Sequence, residues 1–129
     1  MTVETLTLVT ASGEHPIKIE VARTPEQKAL GLMFRKSVPE GTGMLFPYES
    51  PQEMTMWMRN TYVSLDMVFI RRDGVVHRIE ARTEPLSERV ISSGGPVTAV
   101  LELGAGEAQR LGIKPGDRVL SAHFGTAPR

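Results

Sequence analysis

The sequence has no cysteine. That absence removes disulfide frames, zinc–thiolate sites, iron–sulfur clusters and thiol nucleophiles at one stroke. Charge of one sign is missing as well, since 15 Lys+Arg stand against 15 Asp+Glu with a pI near 6.8. Nucleic acid and anionic membrane surfaces demand a cationic excess, so neither is an expected partner. No apolar run approaches the roughly 18 residues of a membrane-spanning helix. The first ten residues alternate polar and apolar and contain no secretory h-region. Aromatic residues are sparse at 5%, with a single tryptophan, Trp57. Walker and Gly-x-Gly-x-x-Gly loops are absent, and His15, His77 and His123 show no metal-ligand spacing. Ser92-Ser93-Gly94-Gly95 lacks the strand–elbow–helix setting of a nucleophilic serine.

What is present is a soluble, globular composition: 40% hydrophobic, 23% charged, over 129 residues. That length suits one domain, residues 1–129, burying about two-thirds of its unfolded surface. Val3–Thr10 and Pro16–Ala22 alternate with period two, the pattern of half-buried strands. Thr24, Pro25 and Gln27 form a capping box that starts a helix whose apolar face is Ala29, Leu30, Leu32 and Met33. Gly31 lies within that helix at a cost of about 1 kcal/mol relative to alanine. Gly43–Phe46 is expected as a short buried segment and Met54–Met58 as a strand. Leu65–Arg71 and Val75–Arg82 flank Asp73-Gly74, a strong hairpin signal. Glu84–Pro96 is expected as a polar loop, Val97–Leu103 as a strand and Ala105–Leu111 as a short helix stopped by Gly112. A turn at Lys114–Asp117 leads into a last strand, Arg118–Phe124, and Gly125–Arg129 forms a frayed tail. About eight short strands and two short helices imply a mostly β (α+β) fold. Closure into a small, complete or nearly complete barrel removes aggregation-prone edges.

Three groups of residues could carry chemistry. Met54, Met56 and Met58 share one face of a strand beside Trp57, and aligned thioethers can take a soft ion such as Cu(I). Methionines filling an irregular core are the preferred reading, because no histidine lies nearby. Asp66 opens the apolar run Met67–Ile70 and needs a partner, with Arg35, Arg59, Asn60 and Thr61 as candidates. A structural turn in which Asp66 accepts backbone N–H groups is an equal alternative. Glu102 sits inside Val100–Leu103, where desolvation raises a carboxyl pKa unless an arginine pairs with it. Asp66 and Glu102 together could serve as acid and base, or ligate a hard cation. Arg78, Arg82 and Arg89 could gather around an anion.

Several of these motifs occur as an ordered set: Gly31-Leu32-Met33-Phe34-Arg35, Gly43-Met44-Leu45-Phe46, Trp57-Met58-Arg59-Asn60-Thr61, Leu65-Asp66, Asp73-Gly74, Pro85, Leu101-Glu102 and Gly116-Asp117. Together they resemble the bacterial and archaeal family known as domain of unknown function 192, over about residues 21–119. Two departures stand out. Arg59 replaces the lysine more usual in the Trp-Met-x-Asn-Thr motif, and Ser64 stands where a proline often precedes Leu-Asp. Met54 and Met56 lie outside the shared motifs. The resemblance implies a compact β-rich domain, a frequent signal peptide or lipoprotein signal, and no established activity.

The expectation is therefore a binding module with a pocket made of Arg35, Trp57, Asn60, Thr61, Asp66 and Glu102. Its ligand would be a small polar molecule or a peptide segment, with no cofactor and no bound metal. The alternatives are a small hydrolase using Asp66 and Glu102, a Cu(I) protein using the methionine stretch, and an interaction domain with an exposed apolar patch. A periplasmic or otherwise exported location is expected, with the cytoplasm as the alternative.

Overall fold

Period-two alternation and a tight turn at residues 11–12 make the first hairpin, β1 (Thr2–Thr10) and β2 (Gly13–Val21), paired antiparallel from Thr2–Val21 to Thr10–Gly13. These elements belong to a computed structural model that describes residues 1–127. Residues 128 and 129, the end of the expected frayed tail, lie outside the described residues.

Helix α1 (Pro25–Leu30) begins as its sequence dictates. The Thr24 hydroxyl accepts from the Gln27 backbone N–H at 3.1 Å, and the Gln27 side chain accepts from the Thr24 N–H at 3.2 Å. The helix is shorter than expected, because Gly31 caps its end at φ 49° instead of lying inside it. Thr24→Ala should therefore lower unfolding free energy in urea by about 1 kcal/mol, the usual worth of such a cap. A change under a few tenths would mean that packing alone holds α1.

Strand β3 (Thr42–Met56) then pairs parallel with β2, the crossover being the segment that carries α1. The two short segments expected at Gly43–Phe46 and Met54–Met58 are parts of this one strand. Register shifts between Pro47 and Gln52, and between Glu53 and Thr55, let it pass the two prolines without a broken ladder. Strands β4 (Leu65–Ile70) and β5 (Val76–Glu80) form the hairpin predicted at Asp73-Gly74. The expected polar loop ends early, since β6 (Ile91–Gly104) begins at Ile91. Gly94 and Gly95 adopt φ 71° and 155° within it, and a side chain at Gly95 would meet the His77 ring at 2.9 Å. Helix α2 (Glu107–Leu111) and β7 (Arg118–Leu120) follow, and Ser121 caps a single 3-10 turn where the last strand was expected to continue.

The seven strands form one sheet, ordered β5-β4-β6-β3-β2-β1-β7. Its two edges approach each other through a Val75–Arg118 bridge and a bond from the Val119 N–H to the Gly74 carbonyl at 2.8 Å. The result is a nearly closed barrel of seven strands, against about eight expected. One core fills its interior, with Leu6, Ile19, Leu45, Val68, Leu101 and Val119. A second core lies on the outer face of β3, β4 and β6, built around Met44, Phe46, Met67, Phe69, Met58 and Leu32. Strand β4 is consequently buried on both faces, which explains a continuous apolar run where alternation would mark a one-sided strand.

Candidate functional site

Strand register decides which side chains can meet. Directly opposed residues on antiparallel strands project to the same face, and neighbours along a strand to opposite faces. Glu102 is opposed by Met44 on β3 and Met67 on β4, so it stands in the outer core between two methionines. Asp66 is opposed by Leu103, and so projects toward the barrel interior. The two carboxylates that could have formed an acid–base pair thus leave the sheet from opposite faces.

Asp66 is buried and fully engaged. One oxygen accepts from the Arg82 N–H at 2.8 Å; the other accepts from the N–H groups of Gly106 at 3.0 Å and Ala108 at 2.9 Å. Gly106 caps α2 without a side chain of its own, and Asp66, on the strand beside the one that leads into α2, substitutes for that cap. Its work is structural.

Glu102 is the opposite case. It is 4% exposed and makes no hydrogen bond or ion pair among the described residues. No fully enclosed side-chain oxygen or nitrogen there lacks a partner, so this unpaired carboxyl opens onto space. That space is a pocket of about 260 Å³ between the end of α1, β3 and the turn after β3. Burial pushes the Glu102 carboxyl up to about 8, so it keeps its proton at neutral pH.

Trp57 and Thr61 line the same pocket, as do Lys28, Tyr48, Phe46 and Met56. The Lys28 ammonium lies 3.6 Å from the centre of the Tyr48 ring, and burial lowers its pKa while Glu49 works against that shift. Burial also raises the Tyr48 hydroxyl. Gly31 is required by the packing as well as by its φ, because a side chain there would press on the Phe46 ring at 3.2 Å. Thr61 is buried, its hydroxyl donating to the Arg59 carbonyl at 3.0 Å.

Three of the six residues expected to form the pocket are therefore brought together: Trp57, Thr61 and Glu102. Arg35 is not among them, for it pairs with Glu20 at 2.7 Å beside a different, more apolar hollow. Asn60 is exposed in a turn at φ 52°, where its carbonyl accepts from the Phe34 N–H at 2.9 Å. Lys28 and Tyr48 were not singled out from the sequence, because neither belongs to a motif and only the approach of α1 to β3 makes them neighbours. The expected arginine cluster also resolves differently. Arg78 and Arg89 pair with Glu80, while Arg82 donates to the Gln109 side chain at 2.9 Å.

The methionine stretch behaves as core. Met54 and Met58 are buried, and the Met58 sulfur accepts a hydrogen bond from the Thr83 hydroxyl at 3.2 Å. Leu30 and Trp57 of the pocket lining, together with Phe34 and Tyr62, are large apolar side chains 43–54% exposed. Phe34 and Tyr62 stack edge to face at 5.9 Å, and Arg59 sits over the Trp57 ring at 5.3 Å. Phe34 and Leu86 hold left-handed backbone conformations at φ 66° and 68°. Each is pinned by an N–H bond to a carbonyl of the Asn60-Thr61 turn.

The motifs that build this site extend through nearly the whole chain. A model of domain of unknown function 192, described as uncharacterized ACR, matches residues 7–121. The chain belongs to this family. Two solved structures are similar to it. A Sinorhizobium meliloti 1021 protein put forward as a transcription regulator is 44% identical over 95% of each chain, with a TM-score of 0.91. A protein of unknown function from Novosphingobium aromaticivorans DSM 12444 is 42% identical, covering 92% of this chain and 85% of that one, with a TM-score of 0.89. No functionally curated protein matches. The family match extends beyond the 21–119 segment on which the resemblance rests, taking in the end of β1, all of β2 and the end of β7.

Proposed function

We propose that this member of domain of unknown function 192 is a non-enzymatic binding module whose pocket takes a small ligand with one polar head and an apolar body. The observation that carries this reading is Glu102. A buried carboxyl without a partner costs several times the free energy of a paired one, and an apolar residue would fit between Met44 and Met67 more cheaply. Such a group is retained where something binds it. The pocket lies just under the roughly 300–1,000 Å³ typical of drug-sized ligands, which favours a compact molecule.

Hydrolysis by an Asp66–Glu102 pair finds no support in this arrangement, since Asp66 has its oxygens occupied and faces the other way. The transcription-regulator description of the Sinorhizobium protein does not carry over easily. The helices here have six and five residues, too short to lie along a DNA groove, and the net charge is zero. An exported setting remains part of this proposal on the strength of the family resemblance, and fractionation of cells expressing the natural gene would test it.

Glu102→Leu separates function from stability. The variant should unfold at a higher temperature than the parent and bind at least tenfold more weakly. The lone tryptophan reports on the pocket directly, so fragments can be screened by Trp57 emission. Fragments that saturate the parent and not the folded Glu102→Leu variant support the reading. If no fragment in a chemically broad set perturbs Trp57, or if all act equally on the variant, the pocket is not a binding site.

A further inference from the structure

Two of the polar side chains in the pocket, one cationic and one a carboxyl, make no hydrogen bond or ion pair among the described residues. Lys28 reaches in from α1 and makes no ion pair among the described residues; its ammonium rests on the Tyr48 ring. Glu102 reaches in from β6 and has no partner. They line one cavity without bonding to each other. The rest of the lining mixes apolar side chains, above all Phe46, Met56 and Trp57, with the hydroxyl-bearing Tyr48, Thr55 and Thr61.

A ligand's charge follows from this inventory. An ammonium would meet the Lys28 charge in a partly desolvated space. A neutral amide would use Glu102 and leave Lys28 unanswered. An anionic head uses both, because a protonated carboxyl and an ammonium are both donors. We infer that the ligand is a small monocarboxylate with a compact apolar body. Its carboxylate accepts from the Glu102 carboxyl hydrogen and the Lys28 ammonium, and its body lies against Trp57, Phe46 and Met56. The inference rests on the pocket reading above and narrows it to one chemical class.

Burial of Glu102 supports it, since the carboxyl remains a donor through neutral pH. Other charged or titratable groups near the pocket are few. Tyr48 faces it from β3, Glu49 acts on Lys28 from the same strand, and Arg59 lies over Trp57. Opposite Glu102, β3 and β4 contribute only Met44 and Met67.

Phenylacetate, phenylacetamide and phenethylamine share one body and differ only in the head group, so they test the inference at Trp57 and by calorimetry. At pH 7 phenylacetate should bind at least tenfold more tightly than the other two. Lys28→Met should weaken phenylacetate at least tenfold, and Lys28→Arg should restore most of the loss. Above about pH 8 the affinity should fall about tenfold per unit, both in the parent and in Lys28→Arg, whose charge persists to higher pH. Glu102→Gln, which still donates from its amide, should bind without that fall. Thermal melts confirm that each variant is folded.

Equal or tighter binding of the amide or the amine overturns the inference and leaves the pocket reading standing. An unchanged affinity in folded Lys28→Met does the same. Failure of all three probes, together with silence from a broad fragment set, removes both.

Discussion

Asp66→Ala is expected to destabilise the protein by at least about 3 kcal/mol, read as the change in unfolding free energy in urea. The substitution leaves three backbone N–H groups without an acceptor, those of Arg82, Gly106 and Ala108. An orphaned buried donor costs roughly 1–3 kcal/mol; the Ala108 bond is buried and those of Arg82 and Gly106 are part-buried. Among the described residues, the loss also removes the side-chain acceptor at the start of α2, whose own N-cap is a glycine. Asp66→Asn should recover little, because its amide nitrogen would face N–H donors on one side whichever way it turned. Hydrogen exchange at Gly106 and Ala108 should quicken in both variants. The Trp57 response to ligand should survive wherever the variant is folded, since Asp66 lies across the sheet from the pocket. A loss below about 1 kcal/mol for Asp66→Ala would show that water or a local rearrangement serves those N–H groups equally well.

Glu102→Gln should change how stability depends on pH. Folding raises the Glu102 carboxyl from an ordinary value of 4.5 to about 8. Between those values the native state holds a proton that the unfolded chain has released. Stability therefore falls as pH rises across that window, at up to about 1.4 kcal/mol per unit, and levels off above it. Glutamine carries no proton to lose. The variant should match the parent near pH 4.5 and become several kcal/mol more stable than it by pH 8.5. His123 acts in the opposite sense: burial lowers its pKa, so its contribution is lost as pH falls through the ordinary histidine range. That effect is common to both proteins and cancels in the difference between them. Parallel curves from pH 5 to 8.5 would mean that Glu102 is ionised and solvated in the folded protein.

These two carboxylates show how far sequence reading reaches. Each was legible as a charge embedded in an apolar run, and each was expected to need an explanation. Their fates differ because of strand register, a property of which residues lie opposite which. Asp66 opposes Leu103 and finds backbone N–H groups from two distant loops, whereas Glu102 opposes two methionines and finds none. A one-residue shift in pairing would exchange their faces.

The strand count is a second case. Gly43–Phe46 and Met54–Met58 were expected as separate pieces and Glu84–Pro96 as a loop, whereas β3 runs through Pro47 and Pro51 and β6 through Gly94-Gly95. In the folded sheet those prolines sit at a register shift and those glycines take positive φ, and the strands continue. Lys28 and Tyr48 illustrate the remaining gap, being unremarkable until α1 is laid over β3.

What the sequence determined by itself is local and compositional. Missing cysteine and balanced charge excluded whole classes of chemistry. Alternation, the Thr24–Gln27 capping box and Asp73-Gly74 placed the first hairpin, the first helix and the second hairpin, because those signals act over a few neighbouring residues. The tertiary structure alone decided which face each side chain took, that the edges of the sheet meet, and that a lone carboxyl and a lone ammonium share one pocket. Those outcomes depend on residues 20 to 74 positions apart (Lys28 against Tyr48, Glu102 in one pocket with Lys28), and only a folded chain brings such residues together.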